Sequence, residues 1–247
     1  MIHKTIVITG ASDGIGKALA WEMAERGYHL GLTARRLEVL ESLKSEINSK
    51  YPDINIAVAA LDVCDYQQVE LALAALHQQL GQIDILLVNA GIAKAGRVGV
   101  MPLEDNLAVI NTNLNGAIAT VSAGLALFRE QGSGHLVATS SIAAYRGLPG
   151  NAAYSASKAG LSSFMEGVRA ETCKENIDVT VLHPGFIDTA INRDLASRPF
   201  VIDVEQGAKI FADLIEKKVQ RATVPSIPWA IIGPLLARLP TSVIAKL

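Results

Sequence analysis

Short apolar runs alternate along this chain with longer segments in which apolar residues recur every three or four positions. Residues 5–9, 29–33, 54–60, 85–88, 135–139 and 179–182 read as strands, and residues 15–26, 37–49, 67–80, 116–128 and 153–174 as helices. In segment 67–80, Val69, Leu73, Leu76 and Leu80 share one face while Gln67, Glu70 and Gln78 point elsewhere, the stripe of a helix lying on a core. The repeated strand–helix rhythm predicts an α/β fold: a Rossmann-like, doubly wound parallel sheet of six to seven strands with helices on both faces.

With 247 residues, half of them apolar, and no repeat or linker before about Glu216, the chain is expected to form one domain over 1–247. A net charge of −2 with interspersed signs offers no basic surface for nucleic acid and points to a small-molecule partner. Cys64 and Cys173 make neither a disulfide framework nor a metal cluster, and are expected as buried thiols of a reducing compartment. Met1-Ile2-His3-Lys4 runs straight into the first strand without a signal peptide, so a cytoplasmic location is expected.

The first strand ends in Gly10-Ala11-Ser12-Asp13-Gly14-Ile15-Gly16, just where a helix begins. Gly10 permits a tight turn, Gly14 lets the backbone approach a pyrophosphate, and Gly16 lets helix and strand pack closely, while the helix N-terminus favours the anion. Ser12, Asp13 and Ile15 complete this expected dinucleotide loop. An NAD site places an acid at the end of the second strand, about 20 residues on. Here that end reads Ala34-Arg35-Arg36, and a guanidinium there pairs with a 2′-phosphate, so NADP(H) is favoured over NAD(H).

Tyr154 and Lys158 stand four residues apart, hence on one helical face, among the small residues Ala152, Ala153, Ala156, Ala159 and Gly160. A free phenol titrates near about 10, and a neighbouring cation draws it toward neutrality. Taken with Asn89-Ala90-Gly91, Asn113, Ser141, and Pro184-Gly185 followed by Thr189, the chain resembles the short-chain dehydrogenases/reductases up to about Thr223. The resemblance implies a hydride exchanged between a nicotinamide and a carbonyl or alcohol substrate. Tyr154 is then the acid/base, Lys158 holds the nicotinamide ribose and lowers the tyrosine pKa, and Ser141 orients the reacting oxygen. Asn113 completes a water-linked relay through its helix backbone, and Thr189 meets the nicotinamide carboxamide.

The resemblance selects Ser141 over Ser140 by its thirteen-residue spacing to Tyr154, leaving Ser140 a structural hydroxyl near the strand end. Asn89, Ala90 and Gly91 either contact the adenosine side or stabilise the sheet. Asp62, beside Val63, either bonds the adenine amine or caps a helix. Asp13 is a departure, since NADP-preferring relatives often carry a base there. Ile187 completes the expected cofactor contacts, and Leu148, Phe186, Ile187 and Ile191 give either an apolar substrate wall or plain core. Two other classes stand beside the enzyme: a non-catalytic dinucleotide sensor, or an NAD(H)-preferring dehydrogenase of the same kind. Sugar-nucleotide epimerases fit less well, because their loop spaces its glycines differently.

Residues 186–203 resemble a substrate lid. Residues 224–247 form an apolar tail; from Lys217 onward the chain carries Lys217, Lys218, Arg221, Arg238 and Lys246 and no acid. Its prolines rule out a spanning helix, leaving a weak membrane-surface contact, a cover for a partner's pocket, or docking on its own body. A homodimer or homotetramer through the helices of 115–128 and 154–174 is also expected from the resemblance.

Overall fold

The computed structural model describes residues 4–193, 195 and 197–245. Positions 194 and 196 of the expected lid, and Lys246 with the last residue of the tail, lie outside the described residues, as do the first three.

Seven parallel strands form one sheet: β1 (Thr5–Thr9), β2 (His29–Ala34), β3 (Ile56–Ala60), β4 (Ile85–Val88), β5 (Gly134–Thr139), β6 (Ile177–Pro184) and β7 (Arg221–Val224). Their order is β3-β2-β1-β4-β5-β6-β7, so the winding reverses between β1 and β4. Both faces are covered, and successive side chains divide between two cores. Ile6 and Ile8 of β1, with Ile85 and Leu87 of β4, enter one core, and Val7, Leu86 and Val88 enter the other.

The expected helices form α1 (Gly14–Glu25), α2 (Leu37–Lys50), α3 (Tyr66–Leu80), α5 (Gly116–Gln131) and α6 (Ala152–Glu171), and α4 (Leu103–Ile110) precedes α5. Of the stripe expected in α3, Val69, Leu73 and Leu76 are buried, joined by Ala72, while Leu80 is half-buried against the same core. Three further helices, α7 (Val204–Glu216), α8 (Trp229–Arg238) and α9 (Thr241–Ile244), stand outside the elements expected from the pattern, as do α4 and β7. Among the described residues no helix is long and apolar enough to cross a membrane.

The cysteines correct an expectation, because both are exposed. Cys64 lies in the turn between β3 and α3, with its sulfur 3.6 Å from Thr112 Oγ1, and Cys173 lies in the turn after α6. Neither falls in the apolar stripe of a helix or on a strand, the positions that supply the two cores.

Candidate active site

In an open parallel sheet, the crevice outside the carboxyl ends of the strands, where the winding reverses, is the place for a ligand. A cleft of about 340 Å³ opens there, lined from the ends of β1 to β6 and from α6.

Its β1 end is the glycine loop. Gly10 has φ +70°, and a Cβ there would stand 2.8 Å from the Ala90 Cα; one at Gly16 would stand 2.3 Å from the Gly10 carbonyl oxygen. Only hydrogen fits at either position, so α1 seats directly on the strand end. Asp13 caps α1, its carboxylate accepting from the Gly14 amide at 2.7 Å.

Arg35 and Arg36 are exposed at the end of β2, and neither forms an ion pair among the described residues. Arg36 Nη2 donates to Ser12 Oγ at 3.3 Å, which joins the β2 end to the glycine loop. Asp62 and Val63 line the cleft after β3. The cap of α3 is Asp65, which accepts from Gln68, while Asp62 Oδ1 accepts from the Cys64 amide at 3.0 Å. The helix-cap alternative for Asp62 is thereby corrected: three residues separate it from the first turn.

Asn89 lines the cleft and also stabilises the sheet. Its Nδ2 donates to the Thr9 carbonyl at 3.1 Å and its Oδ1 accepts from Thr139 Oγ1 at 3.1 Å, tying β1, β4 and β5 together beneath the cleft. Ala90 and Gly91 line the wall above it. A Cβ on Gly91 would lie 3.2 Å from Asn113 Oδ1 and 3.5 Å from Lys158 Nζ, so the missing side chain leaves room where those two groups converge.

Asn113 is fully buried within a π-helical turn, Asn111–Asn115, between α4 and α5. Its carboxamide accepts from the Ile92 amide (2.8 Å), donates to the Ile92 carbonyl (2.9 Å) and donates to Ser157 Oγ (3.3 Å). The side chain therefore locks the loop after β4 onto α6 and does not reach the cleft.

Tyr154 and Lys158 project from α6 into the cleft, with Nζ 5.8 Å from the phenol ring centroid. Lys158 is only 4% exposed and its ammonium donates to the Thr139 carbonyl at 2.8 Å. Burial pulls its pKa down to about 8. Burial pushes the Tyr154 phenol above its ordinary range, and a hydrogen bond with Ser141 offsets part of that rise, so the net direction opposes the expected lowering. The two serines at the end of β5 both line the cleft but take different partners. Ser141 meets Tyr154 and accepts from the Ala143 amide at 3.1 Å, whereas Ser140 donates to the Lys158 carbonyl at 3.0 Å and meets Ser162 Oγ at 2.7 Å.

From β6, Pro184, Gly185, Ile187 and Thr189 line the cleft, followed by Ile191. Leu148 and Phe186 do not line it. Phe186 packs edge-on against Trp229 with ring centroids 5.9 Å apart, and the Leu148 amide reaches Ser155 Oγ at 3.4 Å. Trp229 of α8 had no local sequence signal, yet its indole fills the space over Gly185, where a Cβ would stand 2.1 Å from Nε1. Thr139, whose carbonyl anchors Lys158, is likewise visible only in three dimensions.

A family profile described as short chain dehydrogenase matches residues 4–199. The chain belongs to that family and is an oxidoreductase of it. It is 44% identical over 239 residues to an uncharacterized oxidoreductase of Mycobacterium tuberculosis, covering 96% of this chain and 94% of the relative. It is 31% identical over 237 residues to an NADP-dependent 3-hydroxy acid dehydrogenase of Schizosaccharomyces pombe, covering 95% of this chain and 88% of that one. Its fold matches a short chain dehydrogenase/reductase from Burkholderia phymatum solved in complex with NAD, at TM-score 0.85 and 21% identity over 99% of this chain and 95% of that one.

Proposed function

We propose that this short-chain dehydrogenase is an NADP(H)-dependent oxidoreductase acting between a ketone or aldehyde and its alcohol. The observation that carries the reading is the meeting of Ser141, Tyr154 and Lys158 in one cleft that runs on to the two exposed arginines at the end of β2.

The residues present fit a dinucleotide. The glycine loop leaves a cradle that side chains would fill, and the α1 N-terminus offers amide hydrogens to a pyrophosphate. Arg35, Arg36 and Ser12 give a 2′-phosphate two cations and a hydroxyl. Asp13 spends its carboxylate on the helix cap, which limits its opposition to that phosphate. The NADP-dependent relative agrees with this preference, and the NAD complex is matched at the level of fold alone.

The dinucleotide, when bound, supplies the hydride for reduction or takes it in oxidation. Ser141 donates a hydrogen bond to the substrate oxygen and fixes it beside the phenol. Tyr154, whose protonated form burial favours, gives that oxygen its proton in reduction; in oxidation the phenol first releases its proton to the water-linked relay and the phenolate then takes the proton of the alcohol. Lys158 has one of its three N–H bonds on Thr139 and turns the others to the ribose hydroxyls. Asn113 holds the π-turn whose backbone carries the water-linked relay. Ile191, with the rest of 186–203 as lid, forms the apolar edge of the substrate space. On this reading the protein works in the cytoplasm as a homodimer or homotetramer, a state that sedimentation velocity measures.

The test is a panel of ketones and aldehydes with NADPH, followed by nicotinamide absorbance, on the native chain and Tyr154→Phe. NADPH oxidation that falls about 10²- to 10⁴-fold in the variant, with NADPH affinity kept, is expected. Full activity in Tyr154→Phe sinks the mechanism, and NADPH binding without turnover on any carbonyl compound leaves a dinucleotide sensor.

A further inference from the structure

The outer face of α8 is apolar, although its inner face already docks on the body. α8 buries Trp229 and Gly233, the latter so close to Tyr145 that a Cβ would stand 2.9 Å from its ring. Outward, Ile227 just ahead of the helix, Ile231 and Leu235 follow at steps of four and are 75%, 68% and 54% exposed. Ala230 and Pro234 stand exposed between them, so no polar side chain interrupts the stripe. Phe200, 57% exposed, packs edge-on against Trp229 with ring centroids 5.8 Å apart, and exposed Ile191 lines the cleft itself. One exposed isoleucine is ordinary on a protein surface, but an uninterrupted stripe beside the opening of a cleft marks an interaction site.

Charge selects the occupant. From Lys217 to the C-terminus the sequence has no Asp or Glu. Arg238 is exposed at the end of the stripe, and Arg146 lies at the base of α9, its Nη2 3.4 Å from Thr241 Oγ1. In the expected lid, Asp188 is paired with Arg198 at 2.5 Å and with Arg193 at 3.6 Å. A second copy packed through the same stripe would bring a second acid-free basic segment, 217 onward, to this face, which is unfavourable. An anionic lipid surface meets both features, because it accepts the apolar side chains at its acyl boundary and the guanidinium groups at its phosphates.

We propose that the face formed by Ile227, Ile231, Leu235 and Phe200, flanked by Arg238 and Arg146, seats reversibly on anionic lipid headgroups, with the cleft mouth beside the bilayer. This contact is independent of the cofactor and of the reaction proposed above, and its test reads lipid binding without turnover.

The full chain is sedimented with vesicles of phosphatidylglycerol mixed with phosphatidylcholine, and with vesicles of phosphatidylcholine alone. Binding to the anionic vesicles is expected, weakening at about 1 M salt, where charges are screened beyond about 3 Å. Ile231→Asp combined with Leu235→Asp, both at exposed positions, should lower the bound fraction on the order of ten-fold. Arg238→Glu, which leaves the stripe intact, should weaken binding to the anionic vesicles alone. No binding by the native chain, or equal binding by the double variant with an unchanged thermal melt, overturns the proposal. So does a native dimer that the double variant dissociates while neither binds lipid. If the double variant does not fold, undiminished anionic-vesicle binding by Arg238→Glu overturns it.

Discussion

Lys158 and Thr139 are joined across the floor of the cleft by a 2.8 Å hydrogen bond from ammonium to carbonyl, and no carboxylate pairs with this buried cation among the described residues. Burial therefore acts on Lys158 without a compensating charge and holds its pKa at about 8. The sign follows: between about 8 and the ordinary value of 10.5 the unfolded chain holds a proton that the folded chain sheds, so stability rises with pH across that window and the full penalty applies below it. The penalty is on the order of 3 kcal/mol, less about 1 for the hydrogen bond. Lys158→Met is accordingly expected to stabilise the fold by roughly 1–2 kcal/mol at pH 7 while abolishing turnover, a trade between stability and function. Denaturant unfolding at pH 7 and pH 10 checks it, with the gain shrinking at the higher pH.

At the other end of the cleft, Arg36 and Ser12 meet at 3.3 Å with Arg35 beside them. Loss of one charge-assisted contact to a phosphate costs roughly 1.5–3 kcal/mol. Arg35→Ala and Arg36→Ala should each raise the KM for NADPH about ten- to hundred-fold and leave that for NADH nearly unchanged. Equal effects on both dinucleotides would remove the 2′-phosphate assignment.

Asp13 separates capping from charge. Asparagine caps a helix about as well as aspartate, so Asp13→Asn should keep the thermal melt within a degree or two while lowering the KM for NADPH. An unchanged NADPH KM would mean that the carboxylate, engaged by the Gly14 amide, does not reach the phosphate at all.

What was legible in the sequence was whatever repeats locally. The alternation that built β1 to β6, the loop Gly10–Gly16 and the four-residue step from Tyr154 to Lys158 all lie within short windows, and the structure gathers them at one end of the sheet. Contacts between distant segments were not legible. Nothing near Trp229 says that it covers Gly185, and nothing near Asn113 says that its side chain is spent on Ile92, leaving only its backbone for any relay. Burial also sets the direction of the Tyr154 shift, offset only by the hydrogen bond with Ser141, whereas the spacing to Lys158 alone suggests a lowering. The cysteines failed for the related reason that composition places an average cysteine inside, whereas these two sit in turns.

The Gly185–Trp229 contact is testable because a methyl group added at 185 would stand 2.1 Å from the indole nitrogen. Gly185→Ala should therefore displace Trp229 and cost about 1–3 kcal/mol through overpacking. Trp229→Leu makes room, so the double variant should be more stable than the sum of the single losses, by about 1 kcal/mol or more in a cycle. Additive losses would place the strain elsewhere in the strand end.

His135 carries the last prediction, away from the cleft. It is 2% exposed on β5, its Nε2 lies 2.8 Å from Thr180 Oγ1, and burial holds its pKa at about 4, with Asp178 opposing that shift and Lys218 and Lys4 adding to it. Between the ordinary 6.5 and about 4 the unfolded chain binds a proton that the folded chain refuses. Stability must therefore fall as pH drops through that window, by on the order of 3 kcal/mol from this residue once pH is below 4. His183, buried against Ser162 with its pKa also near 4, adds a slope of the same sign. His135→Gln keeps a polar group for Thr180 but does not titrate. Compared by urea unfolding at pH 7 and pH 4.5, it should lose less stability than the native chain on acidification. Parallel losses in the two proteins would show that carboxylates elsewhere set the acid limit and that His135 is protonated at little cost.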